Sequence, residues 1–220
     1  WPVAVFFDGH NLFDDTHTLA GGWHLHRAMQ ARHEAGLTVP VVIGIHHGED
    51  RDGELSPWML YPEKEGFAKA LLKWFHESIL PRLKKQLLLD TRGMLVGGSS
   101  LGALLALYVL LTEPERYHRG IMMSPALWPD GFRIFEAVMS RLNWQGQRLY
   151  FDHGQKEDHP ELGDILFQQT GMMVDTLSIL GLRQGKDLFW RPDPEGEHNE
   201  KSWSRRLPEA LQLVYEGVTP

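Results

Sequence analysis

Met94-Leu95-Val96-Gly97-Gly98-Ser99-Ser100-Leu101-Gly102-Ala103 joins a short apolar run to a pair of serines flanked by glycines. The apolar run Met94–Val96 reads as a strand, and Ala103 to Leu111 reads as a buried helix. Between them, Gly98-Ser99-Ser100-Leu101-Gly102 spells Gly-x-Ser-x-Gly, the signature of a sharp strand-to-helix turn that lifts a serine hydroxyl above a sheet. The turn is so tight that the residues two before and two after the serine must be small, or their side chains collide with the neighbouring strand and helix. Because two serines are adjacent, the frame matters. With Ser100 at the apex, Gly98 and Gly102 flank it; with Ser99 there, Leu101 would fall in the crowded position. Ser100 is therefore the apical serine, and the helix that follows aims free N–H groups and its positive dipole end at it.

Outward from this turn, strands and helices alternate. Strands are predicted near Val3–Phe7, Val39–Ile45, Gly93–Val96, Arg119–Met123, Arg148–Phe151 and Asp187–Trp190. Helices are predicted over Trp23–Ala35, Lys64–Gln86, Ala103–Thr112, Gly131–Leu142, Glu161–Leu180 and Ser202–Glu216, with Pro81 kinking or splitting the second. The alternation implies an α/β fold, a mostly parallel sheet covered by helices on both faces. Val39-Pro40-Val41-Val42-Ile43 is apolar almost throughout, which predicts a strand buried on both sides. No repeat, low-complexity segment or linker interrupts the pattern, so residues 1–220 read as one domain.

Composition narrows the function classes. The 220 residues are 42% hydrophobic and 23% charged, which is globular rather than disordered. A net charge of −7 without a long Lys/Arg block argues against nucleic-acid or anionic-membrane partners. Leu101 to Leu111, the longest apolar stretch, is too short to span a bilayer. The chain has no cysteine, which excludes disulfides, thiolate catalysis and Cys-based zinc sites. No signal peptide is visible, so the expected location is the cytoplasm. The chain opens at Trp1 without a methionine, so its N-terminus reads as removed or not included.

The unusual polar residues gather at the carboxyl ends of the predicted strands: Asp8-Gly9-His10-Asn11, His46-His47-Gly48, Ser99-Ser100, Asp152-His153-Gly154 and Gly196-Glu197-His198. Ligands bind at that edge of an open α/β sheet. A serine hydroxyl needs a base to take its proton, and the base needs an acid to orient it. In the chain order Ser, acid, His, the base belongs after the last strand, where His198 lies. The acid belongs after Arg148–Phe151. Asp152 reads as a partner of loop amides and Asp164 as solvent-facing. Glu157 and Asp158, at the loop apex, are not separated by spacing alone. Two backbone N–H donors must face the developing oxyanion; those of Leu101, just after the serine, and His10, in the first loop, are the candidates.

Other groups point elsewhere. His24 and His26, two apart on a predicted helix, should point about 200° apart and share no ion. His46-His47 lack a neighbouring metal-ligand pattern, so neither a metal nor another cofactor is expected. Arg51-Asp52-Gly53-Glu54 reads as a structural ion pair in preference to a clamp on an acidic substrate. Trp23, Trp58, Trp128 and Trp203 fall near predicted loops, where they would wall an apolar acyl pocket or serve as packing.

Phe7-Asp8-Gly9-His10-Asn11-Leu12-Phe13-Asp14 resembles the DGQNLFD segment of the putative-esterase branch of the α/β-hydrolases. That branch includes feruloyl and acetyl-xylan esterases, S-formylglutathione hydrolase, mycolyltransferases and enterochelin esterases. Gly97 to Gly102 is similar to its elbow, Arg51-x-x-Glu54 with Ser56-Pro57-Trp58 to its loop after the second strand seen here, and Gly196-Glu197-His198-Asn199 with Ser202-Trp203 to its histidine segment. The four segments follow the family's order over nearly the whole chain. The resemblance implies Ser100 as nucleophile, His198 as base and His10 as second oxyanion donor. The family acid commonly falls three residues after a glycine, and counting from Gly154 this implies Glu157 in preference to Asp158.

Two departures accompany the resemblance. His10 replaces the family's usual glutamine. The family fold also normally begins with two or three further strands, and their absence would leave a sheet edge unpaired. A less stable domain, a borrowed strand or homodimer, and a fragment of a longer protein are all consistent with that. The expected function is serine carboxylic-ester hydrolysis of a small-molecule ester without a cofactor. The alternatives are a siderophore esterase or acyltransferase on the same site, and a non-catalytic binding module.

Overall fold

A computed structural model describes residues 1–16, 18, 21–61, 64–157 and 160–216, with the side chains of 160–163 excepted. Six strands form one sheet: β1 (Pro2–Phe7), β2 (Val41–Ile45), β3 (Asp90–Ser99), β4 (Tyr117–Met123), β5 (Arg148–Gly154) and β6 (Leu188–Asp193). Their spatial order is β2-β1-β3-β4-β5-β6, and every neighbouring pair is parallel. The helices are α1 (Leu25–Glu34), α2 (Arg51–Leu55), α3 (Ala68–Trp74), α4 (Leu80–Gln86), α5 (Leu101–Thr112), α6 (Pro129–Ser140), α7 (Pro160–Ile179) and α8 (Glu200–Tyr215). This is the expected α/β-hydrolase architecture.

The period-two pattern of each strand splits the core into two layers. Val3, Val5 and Phe7 of β1 face the layer that holds α5, with Met94 and Val96 of β3 and Leu149 and Phe151 of β5 beside them. Ala4, Phe6, Leu95, Tyr150 and Phe189 face the opposite layer, which α1 and α8 cover through Leu25, Met29, Leu207 and Leu211. Helix α5 lies against β3 and β4 and is buried nearly all round, which is why Leu101-Gly102-Ala103-Leu104-Leu105-Ala106-Leu107 has no polar face.

Three details differ from expectation. Strand β2 is an edge, so Val41, Val42 and Ile43 are half-buried; an apolar run alone does not tell an edge from a centre. The segment around Pro81 is neither a simple kink nor a clean break. A wide turn over Phe75–Ile79, closed by Leu80 N–H to Phe75 O, precedes the proline and joins α3 to α4. Helix α1 begins at Leu25, with His24 outside it at φ 49°, so the rings of His24 and His26 approach to 6.0 Å instead of diverging. No helix among the described residues is long and apolar enough to cross a membrane.

Candidate active site

Because all strands run parallel, the loops after β1, β3, β4, β5 and β6 share one edge of the sheet. A cleft of about 420 Å³ opens there. Ser100 and His198 both line it, with His10, His47, Arg51 and Trp203 on its walls.

Ser100 sits at φ 54° and ψ −122°, a conformation that costs a non-glycine residue about 1–3 kcal/mol. The turn is over-determined by its bonds. Ser100 N–H donates to Met123 O at 3.0 Å, and Ser100 O accepts from Ala126 N–H at 3.1 Å. The small flanking positions have explicit causes. A Cβ on Gly98 would lie 2.6 Å from the Gly102 carbonyl carbon, and one on Gly102 would press on Phe7 and Asp8 at 3.3 Å. Leu101 opens α5, and the first N–H groups of a helix have no intrahelical partner.

Glu157 follows β5 and is 2% exposed. Its Oε2 is 2.9 Å from His198 Nδ1. Its Oε1 accepts from Gly154 N–H at 2.7 Å and from the Ser124 hydroxyl. The two loops meet because both carry glycine at the crossing: a Cβ on Gly154 would lie 2.3 Å from Gly196 O. Burial pushes the Glu157 carboxyl up, but the His198 bond, the neighbouring His153 imidazole and the Ser124 hydroxyl together hold it below the ordinary value. It is therefore ionised at neutral pH, as an acid that orients an imidazolium must be. Asp158 lies outside the described residues, and Asp164 is exposed on α7.

Beneath Glu157 is a buried polar layer that sequence reasoning missed. Ser124 directly follows β4, at φ 44°, and accepts from Trp203 Nε1–H at 2.9 Å and Arg206 Nη2–H at 3.1 Å. Asp152 Oδ1 accepts from Ser124 N–H at 3.2 Å, in keeping with its expected role toward loop amides. Burial pushes the Asp152 carboxyl up to about 7, although Arg206 Nε stands 3.2 Å away. The only signal in the sequence was that Arg206 falls three residues after Trp203, on one face of a helix. Nothing local says that this face is buried against a strand end.

The first loop makes a short 3-10 turn, Gly9–Asn11, that brings His10 to the cleft. A Cβ on Gly9 would lie 2.6 Å from Gly44 C, so the loop can lie on β2 only as glycine. Arg51 grips Asp8 through two bonds, Nε to Oδ1 at 2.8 Å and Nη2 to Oδ2 at 2.6 Å, a structural ion pair whose partner lies in the first loop and was not foreseen from the Arg51–Glu54 segment. Of the four tryptophans considered as pocket walls, only Trp203 lines the cleft. Trp23 and Trp58 are buried in the core, and Trp128 stacks on Tyr61 at 5.7 Å.

Asp8, His10 and His47 bring potential ligand atoms within 4.8 Å of one another. Burial holds His10 below its ordinary value despite Asp8, so its ring is neutral and able to ligate. Asp8, however, already gives both oxygens to Arg51, which leaves two imidazoles where a catalytic zinc usually takes three protein ligands. Ester turnover is expected to survive a strong chelator at full rate; loss of rate that added zinc restores would show that these residues hold a working metal.

Comparison with known proteins supplies a family. Residues 1–214 match the family described as Putative esterase. Ferri-bacillibactin esterase BesA of Bacillus subtilis is 27% identical over 104 residues, 45% of this chain and 36% of BesA. The BES protein of Bacillus cereus superposes with a TM-score of 0.76 at 19% identity, covering 97% of this chain and 82% of that one. The enterobactin esterase FES of Shigella flexneri, solved in the presence of enterobactin, gives 0.74 at 21% identity, covering 98% of this chain. The chain spans about half the length of FES, and the aligned stretch little more than a third of BesA.

Proposed function

Because the chain belongs to the putative esterase family, we propose that it is a serine carboxylic-ester hydrolase working through a Ser100–His198–Glu157 triad. The observation that carries this reading is the 2.9 Å approach of Glu157 Oε2 to His198 Nδ1, between two separate loops, at the cleft that Ser100 lines. Glu157 keeps the proton of His198 on Nδ1, so Nε2 faces outward as a base. His198 takes the Ser100 proton as Oγ attacks the ester carbonyl. The backbone N–H groups of His10 and Leu101 hold the oxyanion. His198 then returns the proton to the leaving alcohol, and water resolves the acyl-enzyme by the same steps in reverse.

Most of the cleft's lining surface is apolar, but His10, Arg51, Asn199 and Glu200 set polar groups along it, which favours a short acyl group with polar substituents over a long fatty one. A second reading applies the same chemistry to the ester bonds of an enterobactin-type siderophore. The polar groups set along the cleft and the fold shared with enterobactin esterases support it. Turnover of p-nitrophenyl acetate, butyrate and octanoate tests the first reading. Acetate and butyrate should give an initial burst of p-nitrophenol as acyl-serine accumulates, with octanoate roughly tenfold slower or worse. Absence of burst and turnover in folded protein would leave the fold as a binding module.

A further inference from the structure

We propose that His153 is a positioning residue, a second buried imidazole that fixes the Glu157 carboxylate and withholds part of its charge from His198. The proposal rests on the triad reading above. It starts from two imidazoles converging on one oxygen: Glu157 Oε2 lies 2.9 Å from His198 Nδ1 and 3.2 Å from His153 Nε2. His153 is 1% exposed, on β5, and its ring meets the Phe167 ring edge-on at 6.0 Å.

The bonds behind the ring indicate which form it takes. Thr170 Oγ1 donates to Leu166 O at 3.1 Å, and His153 Nδ1 is 3.0 Å from the same Oγ1. A hydroxyl has one proton. With that proton on Leu166 O, Thr170 accepts, and Nδ1 must carry a hydrogen. Nε2 is not aligned for a hydrogen bond to Oε2, so what the ring can offer the carboxylate is charge: a ring protonated at both nitrogens sets a cation 3.2 Å from Oε2, and a neutral one does not. The surrounding charges favour the protonated form. Among the described residues, His153, His198 and Arg206 of α8 lie on Glu157 itself; behind Arg206 are Asp152 of β5, with Tyr150 beside it, and Asp193 of β6, which Arg205 also pairs. Arg206 Nη2 comes within 3.6 Å of Oε1, and among the described residues no arginine or lysine pairs with Oε2, which leaves the imidazoles to supply its positive charge. The cation at His153 would neutralise part of Glu157 and so keep His198 a better acid toward the leaving group than a fully charged carboxylate would allow.

The test compares the parent with His153→Gln, which keeps a polar side chain beside Glu157 but cannot be charged, and with Thr170→Val, which removes the anchor and leaves the ring. The titration of His198 is followed by NMR in a Ser100→Ala background, so it is readable whether or not Ser100 is the nucleophile. His153→Gln should move the His198 titration upward by about half a pH unit or more, and the acid limb of kcat/KM should move with it in the active background. Both ring nitrogens of His153 should carry protons at pH 7 in the parent, and Thr170→Val should lower that protonated fraction. If His198 titrates at the same pH in His153→Gln, or His153 is neutral at pH 7, the proposal is overturned even when activity falls. Should His153→Gln not fold, the protonation state in the parent and in Thr170→Val decides alone.

Discussion

Ser100→Ala is expected to lower ester turnover about 10⁴-fold or more while leaving the fold intact. The size follows from what the hydroxyl does: without it no acyl-enzyme forms, and the oxyanion donors and the cleft can only assist attack by water. The fold should survive because the Ser100 side chain is not what holds the turn. Its backbone bonds to Met123 and Ala126 do that, and alanine retains both. Alanine inherits the same positive φ, so its strain is that of the parent. Hydrolysis of p-nitrophenyl acetate beside a thermal melt checks both halves. Full turnover in the variant would remove Ser100 from the mechanism.

Glu157→Gln should cost about 10²–10⁴ in kcat, the range set by losing the orienting acid of a serine triad. The amide keeps the volume but cannot hold the His198 tautomer or stabilise its protonated form. Asp158→Asn should cost much less; the reverse order would move the acid to Asp158. Stability provides a second readout. The folded-state pKa of Glu157 lies below its ordinary value of 4.5. Its ionised form therefore contributes stability above that pH, and the contribution is lost as pH falls through the depressed folded value. Glu157→Gln should accordingly flatten the acid side of the stability profile, measured by urea melts between pH 3 and 7.

Much of this architecture was legible because each strand is short, apolar and followed by an amphipathic or wholly apolar helix. The six strands and the principal helices fall within a few residues of their expected places. What the sequence concealed is instructive. Helix α2 hid behind Arg51-Asp52-Gly53-Glu54, since five residues carry too little periodicity to register and the helix is capped locally by Asp50 accepting from Gly53 N–H at 3.2 Å. Of the four tryptophans read as pocket walls or packing, three are packing and only Trp203 reaches the cleft, because hydrophobicity near a loop does not say on which side of the sheet a ring lands.

Local sterics and chain order made the turn at Gly98–Gly102, the α/β alternation and a serine, acid, histidine order readable from the chain, while Glu157 and Asp158 were separated only by the family resemblance. Only the tertiary structure decided which residues surround the carboxylate. Ser124, His153 and Arg206 are 82 residues apart at their extremes, and no local rule links them. They converge because β4 and β5 end, and α8 begins, at one sheet edge. There the cost of burying each polar group selects partners from whatever the fold has brought within 3 Å or so.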